Sequence, residues 1–450
     1  MPIITENNRR WWLLAAVSCV LGLVLLDETA VGVALPTIQK DLSLSATVGH
    51  WVVNAYLLSF ACFVAVSGRL ADQFGILRMF RIGLAIFATF SVLGGLAPTG
   101  SALIAARALQ GVGAAVIFPL FVAMTTMTFP REQRGTALGL GGAVGTVFLA
   151  SGPFVGGMLT DLVSWRLIFW VNPPIVLAIA IVSALSWRDV SRPPRTPIDW
   201  TGLVLIASGM FCLVFSLMEA EDWGWDNPFI ICSLLLGAAL LAGFVWVELH
   251  QKTPLIEVDL FQNRMFATSN LVMFYAQYAK MPIFVFAALY AQQVLGFSPL
   301  GAGMLIMLSA VLQPFIAPLC GSLTDRMHPS KLVYFGLLGM LVCMILLSAG
   351  VIWSSLVLFG AALLIAGIAF PFLFIPTQTV IMASLPDHKH GQGGGITMTA
   401  QMIGGTISIA VSSALFALGN DFSLVFIATG ALTGVVLIVC LFGLSKKQKA

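Results

Sequence analysis

Runs of about 20 apolar residues recur along the whole chain, and no other feature constrains its fold as strongly. In hydrocarbon every backbone N–H and C=O must be bonded internally, so such runs become spanning helices. Alternating strands of about ten residues, the mark of an outer-membrane barrel, do not occur in the sequence. The 450 residues are 59% hydrophobic and only 9% charged, where a soluble domain carries about 25% charge. The expected fold is an all-α polytopic membrane protein.

Hydropathy places spans near 11–36, 48–69, 77–97, 101–128, 135–160, 166–187, 198–219, 228–250, 264–294, 298–323, 331–351, 354–383, 391–418 and 422–444. That makes fourteen, and an even number puts both termini on one face. Arg9 and Arg10 precede the first run as in a signal peptide, but that run is too long and no small-residue cleavage site follows, so it reads as a retained span. Eighteen of the 22 Lys and Arg fall on the side of the termini, and only Lys40 and Arg166 on the other. The positive-inside rule then places both termini in the cytoplasm.

The seven cysteines lie within apolar runs without CxxC spacing, so they read as packing residues, with neither a disulfide framework nor a metal site. The five histidines (His50, His250, His328, His388, His390) sit at span ends or in loops, which argues against a buried histidine relay. Walker, GxGxxG, HExxH and GxSxG motifs are missing, so ATP-driven transport and hydrolysis have no visible apparatus. The chain is not expected to be an enzyme.

The sequence repeats internally. GRLADQFGILRMF from Gly68 follows span 2, and GSLTDRMHPSKLV from Gly321 follows span 10, at an offset of 253. REQRG, ending at Gly135, and DHKHG, ending at Gly391, each open a Gly-rich helix at an offset of 256. Residues 1–190 and 263–450 therefore read as two pseudo-symmetric six-helix bundles, with a two-helix insertion and its linkers over 191–262.

Four charges fall well inside apolar runs: Asp27, Glu28, Arg107 and Lys280. Charge at membrane depth is costly, which makes each a functional candidate. The offset of 253 also relates Asp27 to Lys280, so the two occupy corresponding places in the first helix of each bundle. Both lie about 16 residues, roughly 24 Å, from the start of their spans. The expectation is that they face each other across the pseudo-two-fold axis and pair in one state. Pro282, two residues after Lys280, removes a backbone donor and should bend or break span 9 there. Asp27 and Glu28 stand about 100° apart around their helix, so both cannot point squarely at one cavity. Glu28 could pair with Arg107 or reach toward the outer surface. Tyr56 and Gln277 are the best aromatic and amide candidates to line a pocket for amphipathic ligands. In GRLADQFG, Gly68 would allow close helix approach, Asp72 would cap or pair, Gly75 would supply a tight turn, and Arg78 and Arg81 would hold the loop at the anionic leaflet.

With GRLADQFG and its echo GSLTDR (containing Asp325), LDETAVGVALP in span 1, WVVNAYLL from Trp51, RALQGVGAA from Arg107, SGPFVGG from Ser151 and WRLIFWVNPP from Trp165, the chain resembles the major facilitator superfamily over nearly its whole length. More narrowly it looks like the fourteen-span drug:proton antiporter branch. The resemblance implies proton coupling at Asp27, with Arg107 linked to proton transfer and Glu28 a second candidate. A carboxylate in a low-dielectric cavity can load and release protons near neutral pH. It also implies a conformational role for Gly68, Asp72, Gly75, Arg78 and Asp325, and for Gly152, Pro153, Gly156 and Gly157, which would form a kinked, close-packed helix. Gln110, Gly111 and Gly113 would serve close packing. The chain departs from the pattern at Gly32, where the family usually has Asn, and at Phe148, four residues before Gly152, where a small residue is common.

The implied function is proton-coupled efflux of amphipathic small molecules by alternating access in the cytoplasmic membrane. It would use the proton gradient and no bound cofactor, as a monomer with no nucleic-acid partner. Lys280 and Gln277, with Tyr56, would contact substrate. Lys280 would repel a purely cationic drug unless an acid compensates, so export of an anionic or zwitterionic metabolite stands as the alternative, and a transport-inactive receptor or scaffold as a more distant one.

Overall fold

The computed structural model of the chain describes residues 4–6, 8–187, 199–251, 254–385, 390–419 and 421–444. Residues 191–198 of the linker expected over 191–200, the loop at 386–389 and the side chains of Asp72 and Asp325 lie outside the described residues. Among the described residues there are no strands, and fourteen helices are long and apolar enough to cross a membrane. They are span 1 (Arg9–Asp41), span 2 (Ala46–Val64), span 3 (Ile76–Leu96), span 4 (Gly100–Thr128), span 5 (Thr136–Leu162), span 6 (Leu167–Ser186) and span 7 (Trp200–Ala220). Then follow span 8 (Pro228–His250), span 9 (Arg264–Gln293), span 10 (Pro299–Thr324), span 11 (Pro329–Ile352), span 12 (Leu356–Ala383), span 13 (Gly393–Ala417) and span 14 (Phe422–Gly443).

Two six-helix bundles carry matching packing. In the first, span 1 packs on spans 5 and 6, and span 4 on spans 2 and 3. In the second, span 9 packs on spans 13 and 14, and span 12 on spans 10 and 11. The bundles meet where span 5 lies on span 10, where span 2 lies on span 13, and where span 1 meets the far end of span 9. Spans 7 and 8 pack on each other, and span 7 covers the seam between spans 2 and 13. There Trp51 donates to Glu219 across 2.8 Å.

Prolines break or loosen several spans, and at Pro282 and Pro173 a hydroxyl of a neighbouring span donates to the carbonyl left without a partner. Pro282 has no N–H for the Tyr278 carbonyl, and Ser408 of span 13 donates to that oxygen at 2.6 Å. Span 9 stays continuous but widens into a π-helical turn over Pro282–Phe286. Pro153 likewise vacates the Leu149 carbonyl, which Thr29 of span 1 approaches at 3.4 Å. Span 5 remains one helix through Pro153. Pro173 vacates the Phe169 carbonyl, and Ser91 of span 3 fills it at 2.7 Å. Span 6 is accordingly two pieces, Leu167–Trp170 and Asn172–Ser186, with the prolines at the start of the second, where a missing N–H costs nothing. Span 10 also divides, into Pro299–Val311 and Gln313–Arg326.

SGPFVGG works on two neighbours. A Cβ on Gly156 would lie 2.6 Å from the Ala30 carbonyl oxygen of span 1, and one on Gly152 would strike the Thr29 hydroxyl. Side chains on Gly157 or Gly303 would strike the carbonyls of Pro299 and Pro153 respectively, so spans 5 and 10 touch backbone to backbone at the end away from the termini. Phe148 fills the space over Gly22 of span 1. Gly303→Val should force these spans apart. Overpacking of this kind costs about 1–3 kcal/mol, so the purified variant should melt several degrees below wild type. A wild-type melting curve would contradict the contact.

Candidate functional site

The four intramembrane charges form two adjacent ion pairs. Asp27 and Glu28 are neighbours on span 1, so they leave the helix in different directions. Asp27 turns into the first bundle. Its Oδ2 lies 2.5 Å from Nη1 of Arg107 on span 4. Its Oδ1 accepts from Nε2 of Gln110 at 3.1 Å and from Nδ2 of Asn172 at 3.2 Å. Arg107 Nη1 also donates to Gln110 Oε1 at 2.8 Å, and Nε to the Val52 carbonyl at 3.2 Å. The guanidinium carbon sits 4.2 Å from the centroid of the Tyr56 ring, a cation–π contact. Asp27 is 0% exposed and Arg107 1%. Both Asp27 oxygens thus face nitrogen donors, Oδ2 the guanidinium and Oδ1 two side-chain amides.

Glu28 turns the other way, across the seam between bundles. Lys280 Nζ of span 9 approaches its Oε1 at 3.0 Å, and Gln277 Nε2 donates to the same oxygen at 2.8 Å. Both charged side chains are buried. The π-helical turn follows at once. Gly32, one helical turn beyond Glu28, lets span 1 approach that turn, since a Cβ there would lie 2.9 Å from the Phe284 carbonyl oxygen. The departure at Gly32 is thus a packing requirement. Above the pair, Gln292 donates to the Val33 carbonyl at 2.7 Å, and the His50 and Phe286 rings stand 5.0 Å apart. The bundles are therefore closed over the charges on the face opposite the termini.

These contacts correct several expectations. Lys280 pairs with Glu28 and not with Asp27, whose partner is Arg107. Equal offset along the repeat sets depth, but one residue of helix rotation decides which acid meets the lysine. Tyr56 does not share a group with Lys280 and Gln277, because its ring is buried beneath Arg107 within the first bundle. Gln110 bridges Arg107 and Asp27 with its amide, beyond the packing role expected for it. Gly68 permits no close approach here, as a Cβ on it would meet nothing within 4 Å. Gly75 has φ +95° and does form the turn between spans 2 and 3. Arg78 and Arg81 are exposed beyond it. Arg69 of the same motif reaches the Pro254 carbonyl, tying this turn to the segment before span 9.

Sequence reasoning missed Asn172 and Ser91. Neither is charged, and the only signal was an amide directly before two prolines. WRLIFWVNPP sets the pair up: Arg166 donates to the Ala97 carbonyl at 2.7 Å and Trp165 to Asp41 at 3.0 Å, which anchors the turn that delivers Asn172 to Asp27. Among the described residues no cluster of three His, Cys, Asp or Glu could hold a metal.

Three comparisons bear on this arrangement. The sequence model of the Major Facilitator Superfamily matches residues 17–409 and 271–450. The puromycin resistance protein pur8 of Streptomyces alboniger is 33% identical over 412 residues, 90% of this chain and 81% of the relative. The tetracenomycin C resistance and export protein of Streptomyces glaucescens is 30% identical over 426 residues, 92% of this chain and 78% of the relative. Among solved structures, a bacterial homolog of the human lysosomal transporter Spinster, in an inward-facing and occupied conformation, superposes with a TM-score of 0.70 at 16% identity, covering 99% of this chain and all of that one. That similarity concerns the fold.

Proposed function

The chain belongs to the Major Facilitator Superfamily and is a multi-pass membrane transporter, and on that premise we propose that it exports amphipathic small molecules in exchange for protons by alternating access. The observation that carries the coupling is the buried Asp27 carboxylate with donors on both oxygens. A protonated Asp27 loses the charge that holds the Arg107 guanidinium. Proton uptake therefore weakens the tie between spans 1 and 4, and converts proton binding into a change of helix contacts. Glu28–Lys280 joins the two bundles at the same depth. It holds them together in the state described here, and must break if the face opposite the termini opens. A buried pair opposes separation until solvent or substrate groups replace its partners.

In this reading the charge asymmetry places both termini in the cytoplasm, and the closed face is the external one. The transporter works as a monomer in the cytoplasmic membrane, with no bound cofactor beyond the protons it moves. The names of the relatives, puromycin resistance and tetracenomycin C export, support amphipathic drugs as substrates. Lys280 keeps an anionic or zwitterionic substrate as the second reading, since its ammonium could take such a ligand's carboxylate in place of Glu28.

Expression in a pump-deficient bacterial host tests the proposal. Cells should tolerate several-fold more puromycin or ethidium, and a protonophore should raise accumulation of ethidium to that of cells without the transporter. Protection or efflux that survives collapse of the gradient would contradict proton coupling.

A further inference from the structure

WRLIFWVNPP does more than anchor span 6. Pro173 cannot donate to the Phe169 carbonyl, and the Ser91 hydroxyl gives its hydrogen there at 2.7 Å. With that hydrogen committed, Ser91 Oγ can only accept. Asn172 Nδ2 supplies the hydrogen at 2.9 Å, and the same NH2 group reaches Asp27 Oδ1 at 3.2 Å. The amide is thereby fixed with nitrogen toward the acid. Its other end records the constraint: Asn172 Oδ1 is buried and has no hydrogen-bond partner, on a side chain 0% exposed. A free amide would rotate to satisfy that oxygen, since an unpaired buried acceptor is costly.

We propose that Asn172 is a positioning residue that presents a locked N–H to Asp27, and so sets the pH range over which this carboxyl takes up a proton. The proposal rests on the coupling role argued for Asp27. Because the amide cannot turn its oxygen toward the acid, it can donate to Asp27 but cannot accept a hydrogen bond from its protonated form, and its N–H bonds a charged carboxylate more strongly than a neutral acid's carbonyl oxygen. The chain of cause runs from Pro173 through the Phe169 carbonyl and Ser91 to Asn172 and Asp27. The titratable and charged groups around Asp27 are Arg107 from span 4, Tyr56 from span 2, and Glu28 on its own helix with Lys280 of span 9 behind it. Spans 3 and 6 contribute only Ser91 and Asn172 to the network, neither of which titrates.

Infrared difference spectroscopy on reconstituted protein reads the acid directly. The protonated-carboxyl band lost in Asp27→Asn identifies Asp27, and its intensity is followed against pH. Asn172→Leu removes the donor and should move the midpoint up by about one pH unit, the tenfold change expected for one hydrogen bond to a charged group. Asn172→Asp keeps the shape but replaces the donor with a second carboxyl, and should move the midpoint further in the same direction. Ser91→Ala unlocks the amide and should give a smaller upward shift. The pH profile of gradient-driven ethidium transport should move with the midpoint. Midpoints that stay in place, or fall, in Asn172→Asp and Ser91→Ala would overturn the proposal, whether or not Asn172→Leu folds. The two readings fail separately. If Asp27→Asn still transports with the gradient, the coupling role is wrong while the band still reports on Asn172. If that variant is inactive but the band ignores Asn172 and Ser91, only the positioning role is lost.

Discussion

Asp27→Asn is expected to reduce transport driven by a pH gradient to background while the protein still inserts and folds. Asn has the shape of Asp and keeps an acceptor for Gln110 or Asn172, but it cannot exchange a proton. The substitution also strands Arg107. Removing one partner of a buried ion pair costs about 3–5 kcal/mol, because the remaining charge stays desolvated. Part of that cost is relieved here, since Arg107 keeps Gln110 Oε1, the Val52 carbonyl and the Tyr56 ring. Asp27→Asn should therefore melt below wild type. Adding Arg107→Met, which fills the space without a charge, should recover stability and leave transport at background. If the double variant regained gradient-driven transport, the defect in Asp27→Asn would be structural and the acid would not be the coupling group.

The second large effect concerns Glu28 and Lys280. Glu28→Lys sets two ammonium groups together across the seam, and Lys280→Glu two carboxylates. Each should hold the face opposite the termini open and arrest the cycle. The swap Glu28→Lys/Lys280→Glu restores opposite charges and should restore much of the transport. Spin labels at Leu162 and Val294, exposed at the ends of spans 5 and 9, report the opening once the native cysteines are replaced. Their separation should lengthen in both single variants and return in the swap. Lys280→Ala is milder and informative about substrate. It leaves Glu28 as a lone acid, so transport should shift toward cationic compounds and away from anionic ones by about tenfold, the equivalent of 1.4 kcal/mol. Unchanged handling of both charge classes would remove Lys280 from the substrate site.

The fourteen spans were legible because apolar runs are long and the charges between them one-sided. Span ends were less so: span 1 runs to Asp41, past Pro36, because the helix absorbs the proline without ending. The break in span 10 beside Gln313 was not anticipated, although Pro314 was in plain view. The four buried charges were legible as a group, since hydrocarbon makes any charge conspicuous. Their partners were not. The repeat placed Asp27 and Lys280 at one depth, but azimuth around span 1 belongs to packing, and packing gave Lys280 to Glu28. Uncharged members of the network left a fainter trace. Gln110 lay inside RALQG and passed for a packing residue. Ser91 and Asn172 became readable only through a carbonyl that Pro173 leaves without a donor. Ser408 at the Tyr278 carbonyl follows the same logic: a carbonyl that a proline leaves without a donor can draw a hydroxyl from a neighbouring span.

The central claim is that drug leaves in exchange for protons through Asp27. Purified transporter in liposomes enclosing a pH-sensitive dye measures both sides of that exchange. With an inwardly directed drug gradient and no imposed pH difference, adding ethidium should drive protons out of the lumen as drug enters, and the lumen should become more alkaline. The signal should be absent with Asp27→Asn. Ethidium entry into wild-type liposomes without any change in luminal pH, or with acidification, would contradict the account.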